Sequence, residues 1–150
     1  MKIKVIPPLV MVIFGFLMYL LDRFLPVGEF DFFGRPQMAV ALFVFAIIVF
    51  LLALYQLKRV KTTLDPIHPE KASVLVNKGV FKYSRNPIYL AMLILLLAFG
   101  IKLGNAFNTL LAAGFVYFMN HFQIKYEEEA LLKKFGKEYQ LYLKAVRRWF

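Results

Sequence analysis

The sequence predicts an all-α polytopic membrane protein with about four transmembrane helices and a C-terminal cytoplasmic amphipathic helix. The chain has 150 residues, of which 61% are hydrophobic, whereas a soluble domain has about 45–50%. Its apolar residues fall into four runs, and its basic residues collect on alternate sides of those runs. Together these observations exclude an ordinary cytosolic globule and a disordered chain.

The first two runs are long enough to cross a bilayer. Pro7 and Pro8 open the first run, and proline suits the start of a helix better than its interior. The second run, from Met38 to Tyr55, has 18 residues without a charge, against the ~17–20 needed for a span. The predicted spans are residues 7–25, 38–57, 87–102 and 105–122.

The third and fourth spans form a hairpin in this interpretation. One helix over residues 88–120 would be about 50 Å long, which is too much for a single crossing. Gly100, Gly104 and Asn105 interrupt the apolar sequence with residues that favour a turn. We therefore expect two antiparallel helices, the fourth running on past Asn120.

The distribution of charge orients the spans. The loop at 58–86 has seven basic and two acidic residues, and the tail from His121 has seven and four, whereas the segment 22–37 has two and three. The positive-inside rule then places both termini and the 58–86 loop in the cytoplasm, as expected of a prokaryotic inner-membrane protein with one domain over residues 1–150.

The same distribution argues against several other functions. A net charge of +10 that orients spans and attracts anionic headgroups does not predict a nucleic-acid partner. The chain has no cysteine, and His68 and His121 lack a third ligand at useful spacing, so no metal site is expected.

The end of the cytoplasmic loop is the first candidate for chemistry. Pro87 stands where the third span would begin, with Ser84 or Asn86 as its N-cap and Arg85 beside it. A helix N-terminus and an arginine together favour a carboxylate or phosphate. The alternative is that this helix start binds nothing and Arg85 contacts only lipid headgroups.

The tail is the second candidate, and a helix is predicted over residues 124–148. Its apolar residues recur every three or four positions, which is typical of an amphipathic helix. Glu128 points along the apolar stripe, where a carboxylate needs a partner or a function. One interpretation is that Glu128 forms an ion pair with an arginine. The other is that it holds a cationic ligand or orients a catalytic group. The stripe consists of Leu132, Phe135, Tyr139, Tyr142, Val146 and Trp149, and the candidate arginines are Arg85, Arg147 and Arg148.

Three motifs in these segments resemble the isoprenylcysteine carboxyl methyltransferase family, with its prokaryotic relatives and the phospholipid N-methyltransferases. They are GVFKYSRNPIY at 79–89, EEEALLKKFGKEYQLY at 127–142 and VRRW at 146–149. They occur in the family's order, on either side of an apolar hairpin, and the resemblance covers roughly residues 58–149.

The resemblance implies an integral membrane methyltransferase that uses S-adenosyl-L-methionine and a lipophilic acceptor. It implies catalytic roles for Arg85, Glu127 and Glu128. Residues expected to bind the cofactor are Tyr83, Arg85, Asn86, Pro87, Tyr89, Glu128, Tyr139, Tyr142 and Arg147. Eukaryotic members usually have histidine where this chain has Asn86, so the resemblance does not carry over the same acceptor.

The acceptor and two other functions stay open at this stage. An isoprenylcysteine-like carboxylate and a phospholipid amine both fit a pocket that opens to the membrane. Sterol-reductase-type membrane enzymes, which bind a nicotinamide cofactor, have similar C-terminal regions but are generally longer. A small non-enzymatic membrane subunit would use the tail as a surface anchor and Glu128 in an ion pair.

Overall fold

A computed structural model describes residues 6–25, 27–62 and 69–150. Within them the fold is all-helical, as the sequence predicts, with one isolated bridge between Glu29 and Asn105. The helices are α1 (Pro7–Phe24), α2 (Arg35–Arg59), α3 (Pro87–Leu103), α4 (Asn108–Met119), α5 (Lys125–Phe135) and α6 (Lys137–Ala145). A π-helical segment, Asn120–Ile124, joins α4 to α5, and short 3-10 turns occur at Pro69–Lys71 and Gly79–Lys82.

Two helices, α1 and α2, are each long and apolar enough to cross a membrane. Both present large apolar side chains on their outer surfaces, including Phe16 on α1 and Phe45 and Leu51 on α2. Such surfaces are typical of helices that face lipid tails. The crossing of α3 and α4, which are shorter, stays a prediction.

The centre of the fold is α3, which has more buried residues than any other helix in the described part of the chain. It packs against α2 on one side and against α1 and α4 on the other. Phe115 and Met119 of α4 and Met18 of α1 are fully buried in the core that forms there. The bundle therefore fixes the position of the start of α3.

The chain reverses direction between α3 and α4 at Gly104, one of the residues that the sequence predicts for this turn. Gly104 ends α3 with φ +81°, a left-handed conformation that favours glycine. The segment before α2 closes over this turn, because Phe30 N–H donates to the Gly104 carbonyl (2.8 Å). Arg35 Nη1 donates to the carbonyls of Ile101 (3.2 Å) and Lys102 (3.0 Å), and so caps the C-terminal end of α3.

The tail differs from the single helix predicted over 124–148. Gly136, with φ +52° and ψ −121°, separates α5 from α6, and α6 ends at Ala145. Glycine adopts such a conformation without the Cβ penalty that other residues incur. The periodicity of the apolar stripe continues across the break, which is why the sequence pattern does not reveal it. The result is that residues 146–149 fold back towards the start of α3.

Replacing Gly104 by alanine should cost more stability than replacing Gly34, although both have positive φ (+81° and +87°). At Gly34 nothing lies within 4 Å of an added Cβ, so only the backbone strain of about 1–2 kcal/mol applies. At Gly104 the Cβ would overlap Arg35 Nη1 and would lie 3.1 Å from the Phe30 carbonyl oxygen. Loss of the Arg35 cap should add about 1–2 kcal/mol.

Thermal unfolding of the purified protein in detergent measures this difference. The expected order of Tm is wild type, then Gly34→Ala, then Gly104→Ala. Equal losses in the two variants would show that the Arg35 contacts contribute nothing to stability.

Candidate functional site

Arg85 lies in the turn before α3 and connects it to the end of the chain. Its backbone N–H donates to the Arg147 carbonyl (3.1 Å). Its Nη1 donates to the carbonyls of Leu143 and Val146, both at 3.0 Å. These carbonyls belong to the C-terminal end of α6, where the helix dipole favours a positive charge. Arg85 therefore holds α6 against the N-terminus of α3.

Glu128, on α5, joins the same cluster through two ion pairs. Its Oε1 accepts from Arg85 Nη2 (2.8 Å) and from Arg148 Nε (3.0 Å), and its Oε2 accepts from Arg148 Nη2 (2.6 Å). The side chains of Arg85 and Glu128 are only 11% and 16% exposed, so water screens this pair little. Of the three arginines considered from the sequence, Arg85 and Arg148 pair with Glu128.

Residues 146–149 are held in place by further hydrogen bonds to the turn before α3 and to the π-helical segment Asn120–Ile124. The Asn86 side chain donates to the Arg148 carbonyl (2.9 Å), and the Trp149 indole N–H donates to Asn120 Oδ1 (3.0 Å). Asn86 stands at the N-cap position of α3, but its side chain does not cap that helix. Among the described residues, the N-cap side chain therefore accepts no hydrogen bond from the first N–H groups of α3.

Glu127 has a different environment from its neighbour. Tyr89 OH on α3 donates a short hydrogen bond to its Oε1, and Gln123 Nε2 donates to the same oxygen (2.6 Å). Among the described residues it forms no ion pair with Lys or Arg. Burial raises the pKa of Glu127 to about 7, although the hydrogen bonds from Tyr89 and Gln123 lower it. Glu127 therefore keeps its proton to a higher pH than an exposed glutamate does.

The π-helical segment Asn120–Ile124 lies directly before these glutamates. A π turn has an extra residue compared with an α turn, so it rotates the following helix relative to the preceding one. Asn120 and Gln123, which bond the site residues, both belong to this segment. Such segments occur frequently at functional sites.

These side chains surround a cavity of about 330 Å³ at one end of the bundle. Its far wall is apolar and comes from α1 and α2, through Pro8, Phe50 and Leu54. A mainly apolar cavity with a few convergent polar groups is typical of a small-molecule site. The residues expected from the sequence that line it are Arg85, Asn86, Pro87, Tyr89, Glu127, Glu128, Tyr139 and Tyr142.

Two expected residues do not line the cavity. Tyr83 is 74% exposed, and the side chain of Arg147 is directed to the surface, so that only its carbonyl contacts Arg85. Tyr139 and Tyr142 are buried, and burial raises the pKa of both phenols above the ordinary value. Both therefore stay protonated, and Tyr142 OH donates to the Phe81 carbonyl (2.6 Å).

The parts of the site that were not predicted from the sequence are Gln123, Asn120 and the apolar wall of the cavity. Gln123 precedes Glu127 by four residues, a spacing that puts both on one helix face and could have indicated the pair. Nothing in the local sequence indicates that α1 and α2 reach this cavity, because those contacts join residues far apart in the chain.

Comparison with known proteins gives a family match and one curated relative. The family model described as phospholipid methyltransferase matches residues 35–138, which is more than half of the chain. An uncharacterized protein of Haemophilus influenzae is 45% identical over 62 residues, which are 41% of this chain and 98% of the relative. No solved structure matches the chain.

The raised pKa of Glu127 predicts how stability depends on pH. Folding raises this pKa from 4.5 to about 7, so the folded state binds the proton more tightly than the unfolded state does. The stability that protonated Glu127 provides is present below about pH 4.5 and is lost as the pH rises through about 7. Glu127→Gln, which keeps a neutral side chain, should therefore gain up to about 3 kcal/mol over wild type between those pH values.

The measurement is Tm against pH for wild type and Glu127→Gln, with Glu129→Gln as the matched control on the exposed side of α5. The Tm difference should grow from pH 4.5 to 8 for Glu127→Gln only. A difference that does not change with pH would contradict the assigned protonation.

Proposed function

The chain belongs to the phospholipid methyltransferase family, and we propose that it is a membrane enzyme that transfers a methyl group from S-adenosyl-L-methionine to a lipophilic acceptor. The observation that carries the proposal is the position of Arg85, Glu127 and Glu128 around one cavity, beside two helices able to cross a membrane. The cofactor, when bound, supplies an electrophilic methyl group on a sulfonium.

The residues around the cavity fit the charged groups of this cofactor. Arg85 Nε is buried and has no hydrogen-bond partner among the residues that the structure describes, which is costly unless a ligand supplies an acceptor. Next to it, the side chain of the N-cap residue, Asn86, makes no hydrogen bond to the first N–H groups of α3. We infer that Arg85, Asn86 and Pro87 form the binding site for the cofactor's carboxylate.

The two glutamates take different parts in this proposal. Two arginines already neutralise Glu128, so it acts as a positioning residue that keeps Arg85 in place. Among the described residues, the hydrogen-bond donors to Glu127 are neutral side chains, those of Tyr89 and Gln123. Glu127 is therefore the carboxyl available to a cationic group of the cofactor. Tyr89 and Tyr139 add aromatic faces that favour a sulfonium or ammonium.

Methyl transfer needs little covalent help from the protein, because alignment of the acceptor with the methyl group supplies much of the rate. A carboxylate acceptor is already nucleophilic at neutral pH. An amine acceptor must first lose a proton, and in that case Glu127 serves as the base rather than as the partner of a cofactor cation, because pairing with a cation would lower its pKa. Either acceptor would enter along the apolar wall of the cavity.

The proposed topology has four crossings, with α3 and α4 as the second pair. Both ends of the chain and the cavity then lie on the cytoplasmic side, where the basic residues of the loop 58–86 and of the tail collect. Arg147 contributes through its backbone carbonyl, which accepts from Arg85 N–H, and the exposed side chain of Tyr83 takes no part in binding the cofactor.

Titration calorimetry with S-adenosylhomocysteine and detergent-purified protein tests the proposal. Wild type should bind saturably, and Glu127→Gln, which preserves shape, should bind about tenfold or more weakly, because a hydrogen bond to a charged group contributes ~1.5–3 kcal/mol. Arg85→Ala should lose binding, and Glu129→Gln should bind like wild type. The thermal unfolding of each variant separates lost binding from lost folding.

Two results would contradict the proposal. Binding of a nicotinamide dinucleotide in place of adenosylhomocysteine would indicate a reductase. A well-folded wild type that binds neither would favour a non-enzymatic membrane subunit.

A further inference from the structure

The returning segment, residues 146–149, contacts the site from outside the cavity. None of its residues lines the cavity, and its backbone is extended where it leaves α6. It lies beside the turn before α3. The Arg147 carbonyl accepts from Arg85 N–H (3.1 Å), and the Arg148 carbonyl accepts from Asn86 Nδ2 (2.9 Å). Backbone hydrogen bonds therefore join this segment to residues that do line the cavity.

Trp149 anchors the returning segment to the bundle. Its ring packs against the core that α1, α3 and α4 form, and its indole N–H donates to Asn120 Oδ1 (3.0 Å). The next residue, Phe150, is 77% exposed. Trp149 therefore fixes the far end of the segment, through one apolar contact and one hydrogen bond.

Arg148 connects this anchor to the site. Its Nη1 lies 3.5 Å from Asn120 Oδ1, the same oxygen that accepts from Trp149. Its Nε and Nη2 donate to Glu128 Oε1 (3.0 Å) and Oε2 (2.6 Å). Glu128 Oε1 also accepts from Arg85 Nη2 (2.8 Å). A shift of Arg148 would therefore move the carboxylate that holds Arg85.

A second route joins the returning segment to Arg85. Arg85 Nη1 donates to the carbonyls of Leu143 and Val146, both at 3.0 Å, where α6 ends and the segment begins. The Arg85 side chain is only 11% exposed, and a nearly buried charge that loses a partner must move towards another partner or water. The orientation of Arg85 in the cavity wall therefore depends on the docked segment.

We propose that Trp149 and Asn120 are positioning residues for the cofactor site, and that their contact holds Arg85 in the orientation that binds the cofactor's carboxylate. Neither of the two lines the cavity, so both act through Arg148, Glu128 and Arg85. Such coupling is reciprocal, so a ligand that binds Arg85 also stabilises the docked segment. The identity of the ligand rests on the proposed function, whereas the coupling rests on the hydrogen bonds alone.

The first measurement is calorimetric titration of S-adenosylhomocysteine into detergent-purified variants. Trp149→Phe keeps an aromatic ring but removes the indole N–H, and Asn120→Ala removes its acceptor. Each should weaken binding about three- to tenfold, the usual range for one hydrogen bond between neutral groups. The double variant should bind no more weakly than the weaker single variant, because both remove the same contact. Phe150→Leu, at the exposed neighbour, is the matched control and should bind like wild type.

The second measurement is acrylamide quenching of the emission of Trp149, the only tryptophan in the sequence. Saturating S-adenosylhomocysteine should reduce the quenching in wild type and in Phe150→Leu, and should return Asn120→Ala close to the wild-type level. Without ligand, Glu128→Gln should raise the quenching, because it removes the charge that links the two arginines. Thermal unfolding of each variant shows whether it is folded.

Three results would overturn the inference. They are unchanged affinity in a folded Trp149→Phe protein, additive losses in the double variant, and quenching that neither the ligand nor Glu128→Gln alters. A lower Tm with unchanged affinity would show that Trp149 only stabilises the fold. If wild type does not bind S-adenosylhomocysteine, the proposed function fails, and the quenching of Glu128→Gln then tests the coupling to Arg85 by itself.

Discussion

The site depends on the contacts of Arg85. Its guanidinium neutralises Glu128 and caps the C-terminal end of α6, and its backbone N–H donates to the carbonyl of Arg147. A partly buried charge is tolerable only when such partners surround it. In meeting that requirement, Arg85 brings together three segments that are far apart in the chain: the turn before α3, the first turn of α5 and the end of α6. One donor, Nε, has no partner in the described part of the chain.

Neighbouring glutamates with the same side chain acquire opposite properties in this site. Glu128 lies between two arginines and serves to hold them. Glu127, one residue earlier, faces a tyrosine and a glutamine, and burial without a cation raises its pKa towards neutrality. The environment therefore makes Glu128 a structural residue, whereas Glu127 can exchange a proton or bind a cationic group.

The bundle combines a polar site with an apolar surface in a way that suits chemistry at a membrane. α3 is buried and holds the site residues, whereas α1 and α2 present large apolar side chains outward. On α3, Ile88 and Met92 line the cavity of the site, and Leu95, Phe99 and Lys102 line a second cavity between α1 and α2.

Much of this protein could be predicted from its sequence, because local patterns determine it. Apolar runs and prolines located the starts of α1 and α3, Gly104 located the turn after α3, and three motifs identified the family that the match over residues 35–138 shows. The break at Gly136 was not predicted, since the apolar periodicity continues through it. The path of residues 146–149 determines which arginines pair with Glu128, and it also directs the side chain of Arg147 outward. Only the tertiary structure could decide these features, because hydrogen bonds between distant segments, and the packing of α1 and α2 on α3, leave no periodic signal in the chain.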